Sequence, residues 1–351
     1  MHHSQIQSEV WRLMANGTVL PAHPLALDAD RKLDRVHQRA LTRYYVDAGS
    51  GGLAVGVHTT QFAIREVGLY RPVLELAADT VANWTKRPLA MVAGLSGPTR
   101  QALAEADIAR GLGYHAGLLS LSMMKRASED EIIAHCETIA REIPLIGFYL
   151  QPAVGGVILS VNFWRRFAAI DNVIAIKIAP FNRYRTLDVL RGVAAAKALD
   201  RITLYTGNDD HILLDLTLPF DLRDNGVTVR THIRGGLLGH WSVWTASAIR
   251  QFERCRAAQN KPTVPADLLA LDARVTDCNS AFFDAANNFH GCIAGCHEVL
   301  RRQGLLRGIW CLDPNEGLSP GQIEEIDRVC NEHADLSDDD FVAANLPKWL
   351  A

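Results

Sequence analysis

Short apolar runs alternate with amphipathic stretches along most of the chain. The runs Thr18–Ala22, Gly52–Val57, Leu89–Ala93, Tyr114–Ser120, Leu145–Tyr149, Val173–Lys177 and Ile202–Tyr205 have the length of strands rather than helices. An eighth strand is expected within Val227–Leu238, where Gly235 and Gly236 blur its boundary. The stretches between them read as helices, including one from about Asp30 to Asp47 and one through Leu74 to Trp84. A third opens at Pro98, where a missing amide does no harm. A fourth opens at Ser128, with Glu131 three residues on, the pattern of a capping box. Eight β–α alternations at short spacing predict parallel strands, and eight is the number that closes a barrel. From about Pro265 the pattern is helical without strand runs. The expected fold is a (β/α)8 TIM barrel over residues 1–260 with a C-terminal helical extension over 261–351.

Composition narrows the class further. Of 351 residues, 48% are hydrophobic and 21% charged, the balance of a globular protein with a substantial core. Lys plus Arg number 36 against 39 Asp plus Glu, for a net charge of -3, so nothing in the charge balance points to nucleic acid. No apolar run approaches a membrane span, and no apolar segment follows His2 and His3 as a signal peptide requires. A cytoplasmic protein is expected. Seven scattered cysteines, an odd number, read as reduced thiols. Cys292, Cys296 and His297 form a C-x3-C-H cluster, open to two readings: a metal site lacking an evident fourth ligand, or packing of small buried residues. Packing is the expectation, with no metal.

In a barrel of this kind the chemistry sits at the C-terminal ends of the strands. The second strand runs into His58-Thr59-Thr60, the fifth ends at Tyr149, and the sixth carries Lys177 in an otherwise apolar run. Burial disfavours an ammonium, and a lysine tuned toward a pKa of ~7–8 is an amine nucleophile able to form a Schiff base with a ketone. The alternative is a lysine paired with a carboxylate or reaching out to the barrel mouth. Tyr149 on the neighbouring strand offers a phenol for proton transfer. Thr59 and Thr60 offer hydroxyls and amides for a carboxylate.

These residues, in this order, resemble the dihydrodipicolinate synthase / N-acetylneuraminate lyase superfamily of Schiff-base-forming aldolases. Leu20-Pro21-Ala22-His23-Pro24-Leu25 is similar to the family's first-strand segment, and Ala48 to Thr60 to its G-x-x-G-L segment leading to paired threonines. Tyr149-Leu150-Gln151-Pro152 with Gly156 resembles the Y-N-x-P-x-x-x-G motif, and Ile176-Lys177 lies 28 residues beyond that tyrosine (149 to 177), as in the family. Leu305 to Pro314 and Leu318-Ser319 resemble its C-terminal segment. The resemblance implies that Lys177 forms an imine with a 2-oxo acid and that no separate cofactor is needed. It implies that Tyr149 carries protons with Thr59 as relay, and that Thr60 holds the substrate carboxylate. It also implies a homotetramer.

The departures shape the expected substrate. Gln61-Phe62 replaces the usual G-E after the threonines, and Val154 stands where synthases of the family place an arginine for a second carboxylate. Met123-Met124 stands near the position of a tyrosine shared across a dimer interface. Gly207-Asn208-Asp209-Asp210 resembles the G-x-D-E with which sugar-acid lyases hold a polyol, the alternative being that Asp209 caps a helix. His58 either lines the site or caps the strand end, and His240 or Arg234 either touches substrate or belongs to a surface loop. The expected activity is a Schiff-base aldolase or lyase releasing pyruvate from a hydroxylated, sugar-acid-like 2-oxo acid. The alternatives are dehydration or hydration through the same imine, and an inactive barrel serving as sensor or structural subunit.

Overall fold

The computed structural model describes residues 1–224, 226–259 and 261–351. Its strands are β1 (Val19–Pro21), β2 (Gly52–Val55), β3 (Ala90–Leu95), β4 (Ala116–Leu119), β5 (Leu145–Leu150), β6 (Val173–Ala179), β7 (Thr203–Thr206), β8 (Phe220–Asp224), β9 (Val227–Thr231) and β10 (Gly235–Leu238). Eight of them form one parallel sheet in the order β1-β10-β7-β6-β5-β4-β3-β2. Its two ends meet where Ala22 pairs with Ala54 and the His23 amide donates to the Ala54 carbonyl at 2.8 Å. The sheet therefore closes on itself as a (β/α)8 barrel. The strands are apolar on both faces because helices cover the outside and side chains fill the inside.

The expected elements fall into place with instructive shifts. The helix read from Asp30 starts only at Arg35, because the Asp34 carboxylate accepts from the amides of Val36 and His37 and ends the preceding turn. Ser128 and Glu131 cap one another reciprocally at the start of the helix Glu129–Ala140. The Val227–Leu238 segment divides in two. Its first part is β9, which pairs antiparallel with β8 in a hairpin outside the barrel, and its second part is the eighth barrel strand β10. Gly235 and Gly236 belong inside that strand. A Cβ on Gly235 would meet the Thr18 backbone at 2.6 Å, and one on Gly236 the Trp241 ring at 2.5 Å.

One helix absent from the sequence reading, Ser8–Ala15, closes the N-terminal end of the barrel. Ile6, Val10 and Met14 are buried with the lumen-facing Leu20, Val92, Leu118 and Leu237, and the Tyr205 hydroxyl donates to the Met14 carbonyl at 2.7 Å. Beyond residue 261, helices Ala266–Phe282, Cys292–Arg302, Gln322–Glu332 and Asp339–Leu350 pack on the barrel. Among the described residues, no helix is long and apolar enough to cross a membrane.

Candidate active site

The barrel opens at its C-terminal end into a cavity of about 650 Å³, counted with its open mouth. Lys177, Asp209, Gly207, Thr59 and His58 all line it. Gly207 makes room for the lysine: a Cβ there would lie 2.6 Å from Lys177 Cε and 2.8 Å from the Ala179 Cβ. Lys177 is 8% exposed, and its Nζ lies 4.4 Å from the centre of the Phe148 ring.

Burial lowers the Lys177 ammonium to about 8, with the Asp209 carboxylate pulling in the opposite direction. Burial likewise raises the Asp209 carboxyl to about 7, opposed by the His240 amide and by Lys177. The cavity thus holds an amine and a carboxyl whose proton affinities have been drawn together near neutrality. His58 is kept neutral by burial and then by Lys177, at about 4. The Thr59 hydroxyl carries no hydrogen bond among the described residues, which leaves it open toward the cavity.

The other expected site residues lie elsewhere. Tyr149 is fully buried behind the barrel wall, against Trp164 at 5.1 Å between ring centres. Its hydroxyl accepts from the Leu159 amide and from Arg185, each at 3.3 Å. The structure therefore does not bring it to Lys177. The reason is register. Leu145 pairs with Val173, but Ile146 pairs with Ala175, because a bulge inserts one residue into β6. From there on Phe148, not Tyr149, is opposite Lys177: the extra residue turns Lys177 into the lumen, while Tyr149 keeps the outer face that strand alternation gives it with Leu145.

Thr60 is committed to the fold: its hydroxyl donates to the His23 carbonyl at 2.6 Å and accepts from the Gly56 amide at 3.0 Å. Asp210 is exposed and lines a shallow outer depression with Asn182, Arg183 and His211. Asp209 caps no helix, since the next helix opens after His211; its Oδ1 accepts from the His240 amide at 3.0 Å. The His240 ring is buried, stacked at 6.4 Å on Phe282, and does not line the cavity. His240 thus positions Asp209 through its backbone. Cys292 and Cys296 do line the cavity, but their sulfurs and the His297 ring do not gather within ligand distance.

Several cavity residues were not singled out from the sequence: Phe148, Phe181, Gln151, Phe283, Phe289 and Ile293. For Phe148 a signal existed, the alternation of β5, but which of its faces meets Lys177 depended on the bulge in β6. Phe283, Phe289 and Ile293 come from the helical segment after the barrel, where no strand end directed attention to them. Gln61, one of the departures, ties the β2 loop to that segment by accepting from the Leu312 amide at 2.6 Å.

A closed parallel barrel with a desolvated lysine at its C-terminal mouth belongs among the barrel proteins whose chemistry is built on strand ends. The chain belongs to the dihydrodipicolinate synthetase family, whose model matches residues 16–238. It is 28% identical over 229 residues to a 4-hydroxy-tetrahydrodipicolinate synthase of Desulforudis audaxviator, covering 63% of this chain and 71% of that one. It is 23% identical over 322 residues to N-acetylneuraminate lyase 2 of Escherichia coli O6:H1, covering 90% of this chain and 95% of that one. Among solved structures, dihydrodipicolinate synthase from Acinetobacter baumannii complexed with pyruvate superimposes with a TM-score of 0.74 at 18% identity, covering 91% of this chain and 99% of that one. The last comparison shows the shared fold.

Proposed function

We propose that the protein is a Schiff-base lyase in which Lys177 forms an imine with a 2-oxo acid and a C–C bond is then cleaved to release pyruvate. The observation that carries this reading is a single desolvated lysine lining a cavity that also holds the Asp209 carboxyl, each electrostatically felt by the other. The neutral amine attacks the ketone and water leaves. The protonated imine then draws in the electron pair of the C3–C4 bond, while the hydroxyl on C4 gives its proton to a base. In this reading Asp209 takes that proton, in the role expected of Tyr149, supported by its carboxyl lining the same cavity. Thr59 offers its hydroxyl to the substrate carboxylate, and hydrolysis of the imine returns the amine. Assembly as a tetramer belongs to the same proposal.

The test is intact mass after borohydride reduction with pyruvate, followed by peptide mapping. One reduced adduct on Lys177 is expected, and none in Lys177→Arg, whose guanidinium is not a usable amine at neutral pH. An adduct on Lys125 or Lys197 instead would overturn the assignment.

A further inference from the structure

Lys177, Asp209, Thr59 and His58 supply the reacting end of a 2-oxo acid, and apart from Gln151 at the turn after β5 and the thiols of Cys292 and Cys296 the rest of the wall is apolar. Phe148, Leu150 and Val154 come from β5 and the turn after it; Phe283, Phe289 and Ile293 come from the C-terminal helical segment. Lys177 is the only lysine or arginine among the described lining residues, so a second carboxylate finds no cation. A polyol finds few partners beyond the Gln151 amide. Asp210 faces away from the cavity, and one oxygen of Asp209 is already occupied by the His240 amide. Hydroxyls brought against phenyl rings lose their water without gaining partners.

The aromatic wall is also built at a cost in backbone strain. Phe181 (φ 50°) and Phe289 (φ 65°) both sit in the left-handed region that bulky residues avoid, and their rings meet edge to face at 5.5 Å. Each is held there by polar contacts. The Phe181 amide donates to Asn208 Oδ1 at 3.1 Å, and the Phe289 amide to the Asp284 carbonyl at 3.0 Å. The Asp284 carboxylate in turn accepts from the Gly291 amide at 2.9 Å and from the Ser319 hydroxyl. Two strained phenylalanines locked over one cavity point to a flat apolar group beneath them.

We infer that the substrate is a 4-hydroxy-2-oxo acid carrying an aryl group on C4, which Lys177 splits into pyruvate and an aromatic aldehyde. The inference rests on the imine reading above and specifies the half of the substrate that the imine leaves open. The reaction balances without a further reagent. The C3–C4 pair becomes the enamine of pyruvate, the C4 hydroxyl loses its proton to become the aldehyde, C3 then takes up a proton, and water hydrolyses the imine.

The experiment is lactate-dehydrogenase-coupled pyruvate release from 4-hydroxy-2-oxo-4-phenylbutanoate, beside 2-keto-3-deoxygluconate, with borohydride trapping of pyruvate on the same preparation. The phenyl acid is expected to be preferred by kcat/KM by about 100-fold, the scale on which buried contacts discriminate substrates. Phe289→Ala is expected to raise KM for the phenyl acid about tenfold, with a smaller change in kcat. Trapping on Lys177 together with equal or better cleavage of the sugar acid, or inertness toward the phenyl acid, overturns the aryl substrate while leaving the imine intact. Absence of trapping overturns both.

Discussion

At the residue scale, chemistry in this cavity comes from how burial treats two opposite charges. Water loss lowers the Lys177 ammonium and raises the Asp209 carboxyl, and each partly offsets the penalty of the other. An imine forms from the free amine, whose fraction grows as pH rises through about 8, and Asp209 must be ionised to act as a base, which it is above about 7. Both requirements act in the same direction, so turnover is expected to climb from pH 6 to pH 9. Asp209→Asn separates them. Removing the carboxylate takes away the one influence that raises the Lys177 pKa, so the midpoint of pyruvate trapping moves to lower pH. Cleavage meanwhile falls by about 10²–10⁴-fold, the usual loss for a missing general base. A trapping midpoint that moves upward, or cleavage that survives, would show that Asp209 is not the group that takes the proton.

At the element scale, one extra residue in β6 decides which side chain of β5 meets the lysine. The bulge between the 145–173 and 146–175 pairs turns Lys177 into the lumen, while Tyr149 follows Leu145 by strand alternation into the helix layer. There it accepts from Leu159 and Arg185, and it packs against Trp164. Tyr149→Phe is therefore expected to cost about 1 kcal/mol of stability, the net worth of a buried hydrogen bond, read by urea unfolding. Turnover should stay within about threefold, too small a change for a lost proton carrier. A hundredfold loss of turnover at unchanged stability would place the phenol in the lumen after all.

At the scale of the whole molecule, the C-terminal helices clamp the barrel and also complete its cavity. Trp349 is fully buried, its ring 5.4 Å from Tyr44 and 5.5 Å from Phe341, with Nε1 donating to Asp47 at 2.8 Å. Arg43 on the same barrel helix donates to the Trp349 carbonyl at 2.7 Å. Trp349→Ala is expected to cost about 3–5 kcal/mol in urea unfolding, the range for emptying a large aromatic site. A loss below about 1 kcal/mol would mean that the last helix is not held by this contact. The same extension delivers Phe283, Phe289 and Ile293 to the cavity, so loosening the clamp is expected to reach the site as well.

What the sequence determined by itself was everything written in local pattern. Eight apolar runs separated by amphipathic stretches specify parallel strands under helices, Pro98 and the Ser128–Glu131 pair mark helix starts, and an isolated lysine in the Val173–Ala179 run marks a candidate site. These are properties of neighbours along the chain, where side-chain period and capping chemistry act. The tertiary structure alone decided which faces those residues present and what surrounds them. It turned Lys177 into the lumen, away from Tyr149, through a bulge in the lysine's own strand, and tied up Thr60 with His23, 37 residues away. It set Asp209 in and Asp210 out, and it roofed the lumen with phenylalanines from a segment 100 residues beyond the lysine strand. Register between strands and the docking of a distant helix depend on the summed packing of the whole chain, and no local window of sequence contains that sum.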